Sequence, residues 1–145
     1  MNNQPFVIER TYNAPVARVW KALTDKEAMK QWYFDLAEFK LEVGFEFQFE
    51  GKGNDGFVYN HLCRITDVIP QKKLQHTWGY EGYEGSTLVT IELFAEGDKT
   101  RVKLTHEGIE TLPNLPAFAK QNFVNGWTAI IGTNLAKYVE EESVK

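Results

Sequence analysis

Three histidines, His61, His76 and His106, and one cysteine, Cys63, carry most of the reactive chemistry in this chain. Zinc needs three or four such ligands converging within about 2.0–2.3 Å. No two of these histidines have helical metal spacing, and the strand register derived below separates His61 from His76. No metal and no cofactor are therefore expected. Cys63 points inward by parity, with no base beside it. It reads as a small buried apolar residue rather than a nucleophile. Ser86 has no nucleophile-elbow context, and Glu46, Glu50 and Glu92 face outward, so no buried acid pair is visible. No catalytic constellation stands out. Gly51-Lys52-Gly53-Asn54-Asp55-Gly56 matches a dinucleotide fingerprint in letters only. That fingerprint needs a strand before it and a helix after it; here strand patterns flank it on both sides, so it reads as a hairpin loop.

Two features remain. His61 falls inside with Tyr59 and Tyr80. It is either a core histidine satisfied by a tyrosine hydroxyl or a polar tether for a bound ligand. The second feature is the ring set Trp32, Phe45, Phe47, Tyr59, Trp78, Phe123 and Trp127, which is either plain core or the lining of a cavity.

These side chains need elements to hold them. Pro116 to Val139 is the longest helical pattern. Ala119, Phe123, Trp127, Ile130, Ile131, Asn134, Leu135 and Tyr138 recur in steps of three and four, with one doublet at 130 and 131. About 24 residues at 1.5 Å each span roughly 36 Å, the width of a small domain. Phe6 to Tyr12 reads as a first strand. Asn13-Ala14-Pro15 is a helix start, and Val16, Val19, Trp20 and Leu23 form a stripe. Thr24 to Glu27 reads as a capping box that opens a second short helix, with Ala28, Met29 and Trp32 buried. From Gly44 the period is two. Phe45, Phe47 and Phe49 alternate, as do Phe57, Tyr59, His61, Cys63 and Ile65. Leu74, His76, Trp78 and Tyr80 follow, then Val89, Ile91 and Leu93, then Val102 and Leu104. Six or so antiparallel strands are expected, each with one apolar face. Only Glu140 to Lys145 looks like a frayed tail.

Parity extends to register. A turn at Pro70-Gln71 sets Cys63 opposite Trp78, Ile65 opposite His76 and His61 opposite Tyr80. A turn at Glu96-Gly97 sets Ile91 opposite Val102, Val89 opposite Leu104 and, outside, Glu92 opposite Arg101. A bulge would shift either register by one.

The chain has 145 residues, 43% of them hydrophobic and 14% aromatic, with a net charge of −4. That is one domain with a sizeable core, spanning residues 1–145. The acidic balance and the lack of a basic cluster argue against nucleic acid or an anionic membrane as partner. One cysteine permits no internal disulfide and fits a reducing compartment. The first residues lack a signal-peptide pattern, and no apolar run approaches a membrane span. A cytoplasmic α+β domain without membrane insertion is expected.

Trp20, Thr24-Asp25, Gln31-Trp32, Gly44 with Phe45-Glu46-Phe47, Ile69-Pro70, Leu74 to Trp78, Thr100 to His106 and Gly126-Trp127 occur in a telling order. With that spacing, over nearly its whole length, the chain resembles the START-like (SRPBCC) superfamily. The nearest subgroup is the one named for the C-terminal domain of the activator of the 90-kilodalton heat-shock chaperone ATPase. The resemblance implies a helix-grip fold: a strand, two short helices, a curved antiparallel meander, and a long C-terminal helix across its concave face. It does not imply chaperone activation, because the eukaryotic activators use a further N-terminal domain for which this chain has no room.

The expected function is binding of a small hydrophobic or amphiphilic molecule between sheet and helix. The candidate lining is Trp32, Phe45, Phe47, Tyr59, His61, Cys63, Trp78, Tyr80, Val89 and Ile91, closed by Phe123, Trp127 and Ile130. A protein-docking role, with a chaperone as partner, and an enzyme using His61 or Tyr59 as acid or base are the alternatives. A chelator is expected to leave Tm unchanged. A drop on chelation, reversed by zinc, would disprove the absence of metal.

Overall fold

The computed structural model describes residues 5–32, 39–52, 57–113 and 118–142. The elements are β1 (Phe6–Tyr12), α1 (Val16–Thr24), α2 (Lys26–Trp32), β2 (Glu46–Lys52), β3 (Val58–Ile69), β4 (Lys73–Tyr80), β5 (Thr87–Glu96) and β6 (Lys99–Glu107). After a short 3-10 turn at Ile109–Thr111 come α3 (Lys120–Ala129), a π-helical segment (Ile130–Leu135) and α4 (Ala136–Glu142). The strands form one antiparallel sheet in the order β1-β6-β5-β4-β3-β2. Five strands follow the two helices rather than six, because β1 supplies the sixth from the front of the chain. This is the α+β helix-grip fold. Among the described residues, no helix is long and apolar enough to cross a membrane.

Strand faces follow parity. In β4, Leu74, His76, Trp78 and Tyr80 are buried and their neighbours are not. Phe57 is the exception in β3: it lies just before the first paired residue and is 69% exposed. His61 stands opposite Tyr80 and Ile65 opposite His76; then a bulge between Ile65 and Asp67 shifts the pairing. The β5–β6 hairpin turns at Gly97-Asp98, since Glu96 pairs with Lys99 and Gly97 has φ 65°. A glycine at positive φ in the first position of a two-residue loop is what this hairpin requires. The register is therefore two residues from the one expected, with Ile91 opposite Leu104 and Val89 opposite His106. An even shift keeps the inward face unchanged. Arg101 pairs with Glu9 at 2.8 Å and Glu96 at 3.2 Å, not with Glu92, and lies over the Phe94 ring.

The helix starts differ from the sequence expectation in detail. Asn13 does not cap α1; Pro15 holds the N-cap position without a side-chain bond. Thr24 donates back to the Trp20 carbonyl at 2.7 Å, and Asp25 instead caps α2 by accepting from Ala28 N–H at 3.0 Å. A hydroxyl already engaged with the helix behind it cannot cap the helix ahead.

The C-terminal helix is continuous but not uniform. Phe123, Trp127, Ile131, Leu135 and Val139 are its buried residues, one every fourth position. In an ideal α-helix four residues overshoot a turn by about 40°, so four such steps would rotate Val139 to the far side. The wider π turn at Ile130–Leu135 takes up that drift. It also explains the doublet: Ile131 is buried while Ile130 is only half-buried. Ala119 and Asn134, expected on the stripe, are exposed. Glu140 is helical rather than frayed, and its carboxylate accepts from Asn13 N–H at 2.8 Å.

Two further bonds hold this helix to the sheet. The Tyr12 hydroxyl donates to the Ile131 carbonyl at 2.5 Å, inside the π segment. Trp127 Nε1–H donates to His106 Nδ1 at 3.0 Å. That bond fixes the tautomer, because an accepting Nδ1 leaves the proton on Nε2. His106 Nε2 lies 2.7 Å from Thr87 Oγ, which in turn donates to the Trp78 carbonyl at 2.7 Å. Every donor in the chain from helix to sheet backbone has its acceptor. Replacing Trp127 by Ala is expected to cost about 3–5 kcal/mol by chemical denaturation. Trp127→Phe keeps most of the packing but leaves His106 Nδ1 unpaired, for about 1–3 kcal/mol. A loss below about 1 kcal/mol for Trp127→Ala would remove Trp127 as the anchor.

Candidate functional site

Trp78, on the central strand β4, is the hub of the concave face. Its ring centroid lies 5.6 Å from Phe49, 5.1 Å from His61, 5.7 Å from His106 and 5.3 Å from Trp127. Its Nε1–H donates to the Tyr80 hydroxyl at 2.9 Å. A second ring group gathers at Phe118, within 4.5 Å of Tyr80, 5.4 Å of Tyr59 and 5.1 Å of Tyr83. Together these rings pack around His61 and Tyr80.

His61 is held there by backbone carbonyls. Its Nδ1–H reaches the carbonyls of Phe49 at 3.2 Å and Tyr59 at 3.1 Å, and its ring stacks on Phe49 at 4.6 Å. Gly51 makes room for the ring: a Cβ there would come within 2.8 Å of His61 Cε1. Residues 53–56 of the glycine motif lie outside the described residues, and strands β2 and β3 flank it on both sides.

The open space lies at the other half, toward α1 and α2. It is a cavity of about 30 Å³. Phe47, Leu74, His76 and Ile91 form its sheet wall, Trp127 and Ile131 its helix wall, and Leu23, Met29 and Phe39 its end. Phe39 packs edge-on against Phe47 at 5.3 Å and Phe45 at 6.3 Å. Of the expected lining, Phe47, Ile91 and Trp127 border this space. Tyr59, His61, Trp78 and Tyr80 belong to the filled ring groups. Cys63 and Val89 are buried in the sheet core, and Phe123 packs edge-on to His106 at 5.1 Å. Phe45 and Ile130 are half-buried, and the Trp32 side chain lies outside the described residues. Phe49 and Phe118, absent from the expected lining, add their rings beside His61 and Tyr80.

Leu23, Met29, Phe39, Leu74, His76 and Ile131 also line the cavity without being in the expected set. All but Phe39 among the added wall residues sit on inward positions of predicted elements. The signal was the patterning itself; what was missing was which end of the groove stays open. His76 and His106 were legible as inward residues of their strands, but not as members of a site.

Burial dominates the electrostatics. It pulls the pKa of His76 down to about 4 and that of His106 down to about 3, the latter aided by the nearby His76. His61 is lowered by burial too, opposed by its two carbonyl partners. Burial pushes the Cys63 thiol far up, which rules out a ready thiolate, and raises Tyr80 to about 12. Among the described residues, no three His, Cys, Asp or Glu side chains converge on a metal position.

Because the folded values of His76 and His106 lie below the unfolded value of about 6.5, the unfolded chain binds protons first as pH falls. Their contribution is full above pH about 6.5 and is lost as pH falls toward the folded values. Unfolding free energy is expected to fall by about 1.4 kcal/mol per pH unit per histidine near pH 5. His76→Phe should reduce that slope by one proton's share. Equilibrium denaturation between pH 7 and 4.5 measures it, and a flat profile would contradict the neutral buried imidazoles.

The family model described as Activator of Hsp90 ATPase homolog 1-like protein matches residues 13–140 of the chain. No curated protein matches. Among solved structures, protein CV1439 from Chromobacterium violaceum is 23% identical, with a TM-score of 0.78, covering 97% of this chain and 99% of its own. Mll3558 from Rhizobium loti is 22% identical, with a TM-score of 0.79 over 93% of this chain and 96% of its own. DynU16, a protein in the dynemicin biosynthetic locus, is 21% identical, with a TM-score of 0.77 over 97% of this chain and 49% of its own. At these identities the likeness is one of fold.

Proposed function

The chain belongs to the family of Activator of Hsp90 ATPase homolog 1-like proteins, and from that premise we propose that it binds a small, largely hydrophobic ligand between sheet and C-terminal helix. The observation that carries this is the apolar cavity walled by Trp127 and Ile131, at the point where the helix changes to a π turn. A π turn has poorer hydrogen bonding than an α turn and is often found at functional sites. Its retention here, against a space with an almost wholly apolar wall, fits a binding role.

At about 30 Å³ the cavity holds a water-sized guest. A ligand of ordinary size therefore requires the end wall to yield. Met29, with three rotatable bonds, is the side chain best suited to do so. The buried lone cysteine fits a reducing, cytoplasmic setting.

A docking role on a chaperone has less support. Among the described residues, the large exposed apolar side chains come from several elements: Val7 on β1, Val43 before β2, Phe57 just before β3, Val58, Leu62 and Ile69 on β3, Tyr83 in a loop and Phe94 on β5. Partner surfaces gather such residues into one patch. An acid–base enzyme at His61 is disfavoured by the two carbonyls that engage its Nδ1 and by the ring stacked on it.

Native mass spectrometry of the freshly purified protein should reveal a co-purified small molecule. Fatty acids, sterols or polycyclic aromatics should quench the emission of tryptophans, Trp127 among them. Met29→Trp, which fills the end of the cavity, should weaken binding by about tenfold or more, equivalent to about 1.4 kcal/mol, with the fold retained by circular dichroism. The ligand reading fails if no molecule co-purifies and no amphiphile quenches emission.

A further inference from the structure

Among the described residues, the cavity wall holds one polar side-chain atom with no protein partner. Two of its side chains hold nitrogen, Trp127 and His76. Trp127 Nε1–H is engaged by His106. His76 Nδ1 lies 2.8 Å from the Thr77 carbonyl. A carbonyl only accepts, so Nδ1 carries the proton and Nε2 is left as a lone-pair acceptor. Among the described residues, nothing donates to it. Yet His76 is only 5% exposed, its ring set edge-on to Phe47 at 5.4 Å. An acceptor without a donor on an almost wholly apolar wall calls for a partner.

Water is a poor one. The cavity has room for a water, but a buried water needs two to four polar partners and, among the described residues, this wall offers one. An ionised carboxylate is poorer still: it has no proton to give, and no lysine or arginine is among the described lining residues. A hydrocarbon fits the wall but leaves Nε2 unpaired. Burial keeps the imidazole neutral at pH 7, so the acceptor is present under ordinary conditions.

We infer that His76 Nε2 is the recognition point of this cavity, accepting a hydrogen bond from a hydroxyl or N–H on a small apolar ligand. The site thereby selects neutral phenols and alcohols over carboxylates and plain hydrocarbons. This rests on the cavity being a ligand site, and it adds the chemistry of the ligand's polar end.

The test is a titration of the wild-type protein, His76→Phe and Met29→Ala with phenol, toluene and benzoate, followed by amide and histidine nitrogen NMR. Met29→Ala shortens the end wall, so probes excluded from the wild type can enter. Phenol should bind about fivefold more tightly than toluene, the effect of one neutral hydrogen bond, and benzoate least. His76→Phe should abolish the preference for phenol while leaving toluene binding unchanged. The Nε2 resonance should start in the range of an unprotonated nitrogen and shift with phenol but not toluene; that reading holds even if His76→Phe does not fold. Equal binding of phenol and toluene, or a still Nε2 resonance with phenol bound, overturns the recognition role and leaves the ligand site standing. Tighter binding of benzoate overturns the selectivity. No binding of any probe, in wild type or Met29→Ala, removes both the recognition role and the ligand site.

Discussion

Trp127 meets the sheet through its ring and its nitrogen at once. The ring packs on Trp78, 5.3 Å away, and the Nε1–H enters a chain through His106 and Thr87 that ends on a strand carbonyl. Both nitrogens of His106 are in use, so its tautomer is set by its neighbours and its protonation is opposed by burial. If the helix slid by one turn, the indole N–H and the imidazole would both be left buried and unpaired. Each such group costs about 1–3 kcal/mol. The helix therefore has one axial position on the sheet, and everything between helix and sheet is measured from it.

The π turn follows from that fixed point. With Trp127 held, the residues beyond it must still reach the sheet, and they do so at every fourth position as far as Val139. An α-helix alone would rotate them away. The Tyr12 hydroxyl bonds to Ile131 within the turn, and Glu140 ties the next segment to the backbone at Asn13. A strand residue, a loop residue and a histidine thus hold one helix along its length, while α1 and α2 close the groove at the end where Leu23 and Met29 stand.

These constraints divide the groove. Around Trp78 and Phe118 the rings touch, and the polar atoms of His61 and Tyr80 have protein partners. Toward Met29 the helix and sheet leave a small space, and the polar atom bordering it is unmatched. Polarity and emptiness coincide at His76 rather than at His61. In the proposed ligand reading, that coincidence, more than the number of rings, gives the groove its chemical preference.

Alternation and stripe are local properties of the backbone, and so they were legible in the sequence. Period two in Leu74, His76, Trp78 and Tyr80 determined their common face. The steps of three and four from Phe123 to Leu135 determined a long amphipathic helix, and no other stripe was long enough to cover the sheet. The α+β class rests on those patterns, while the resemblance to a helix-grip family rests on motifs such as Gly44 with Phe45-Glu46-Phe47 and Gly126-Trp127 in their order. Tertiary structure decided what periodicity cannot encode. The Gly97-Asp98 turn moved the last hairpin by two residues while leaving its face intact, because parity is blind to even shifts. The doublet Ile130-Ile131 was visible, but only contact with Tyr12 and the sheet shows it as a π turn. The location of the cavity was hidden for a different reason. A void is a small difference between two large, nearly filled volumes, and no pattern in the chain records how far rings such as Phe49 and Phe118 crowd into it.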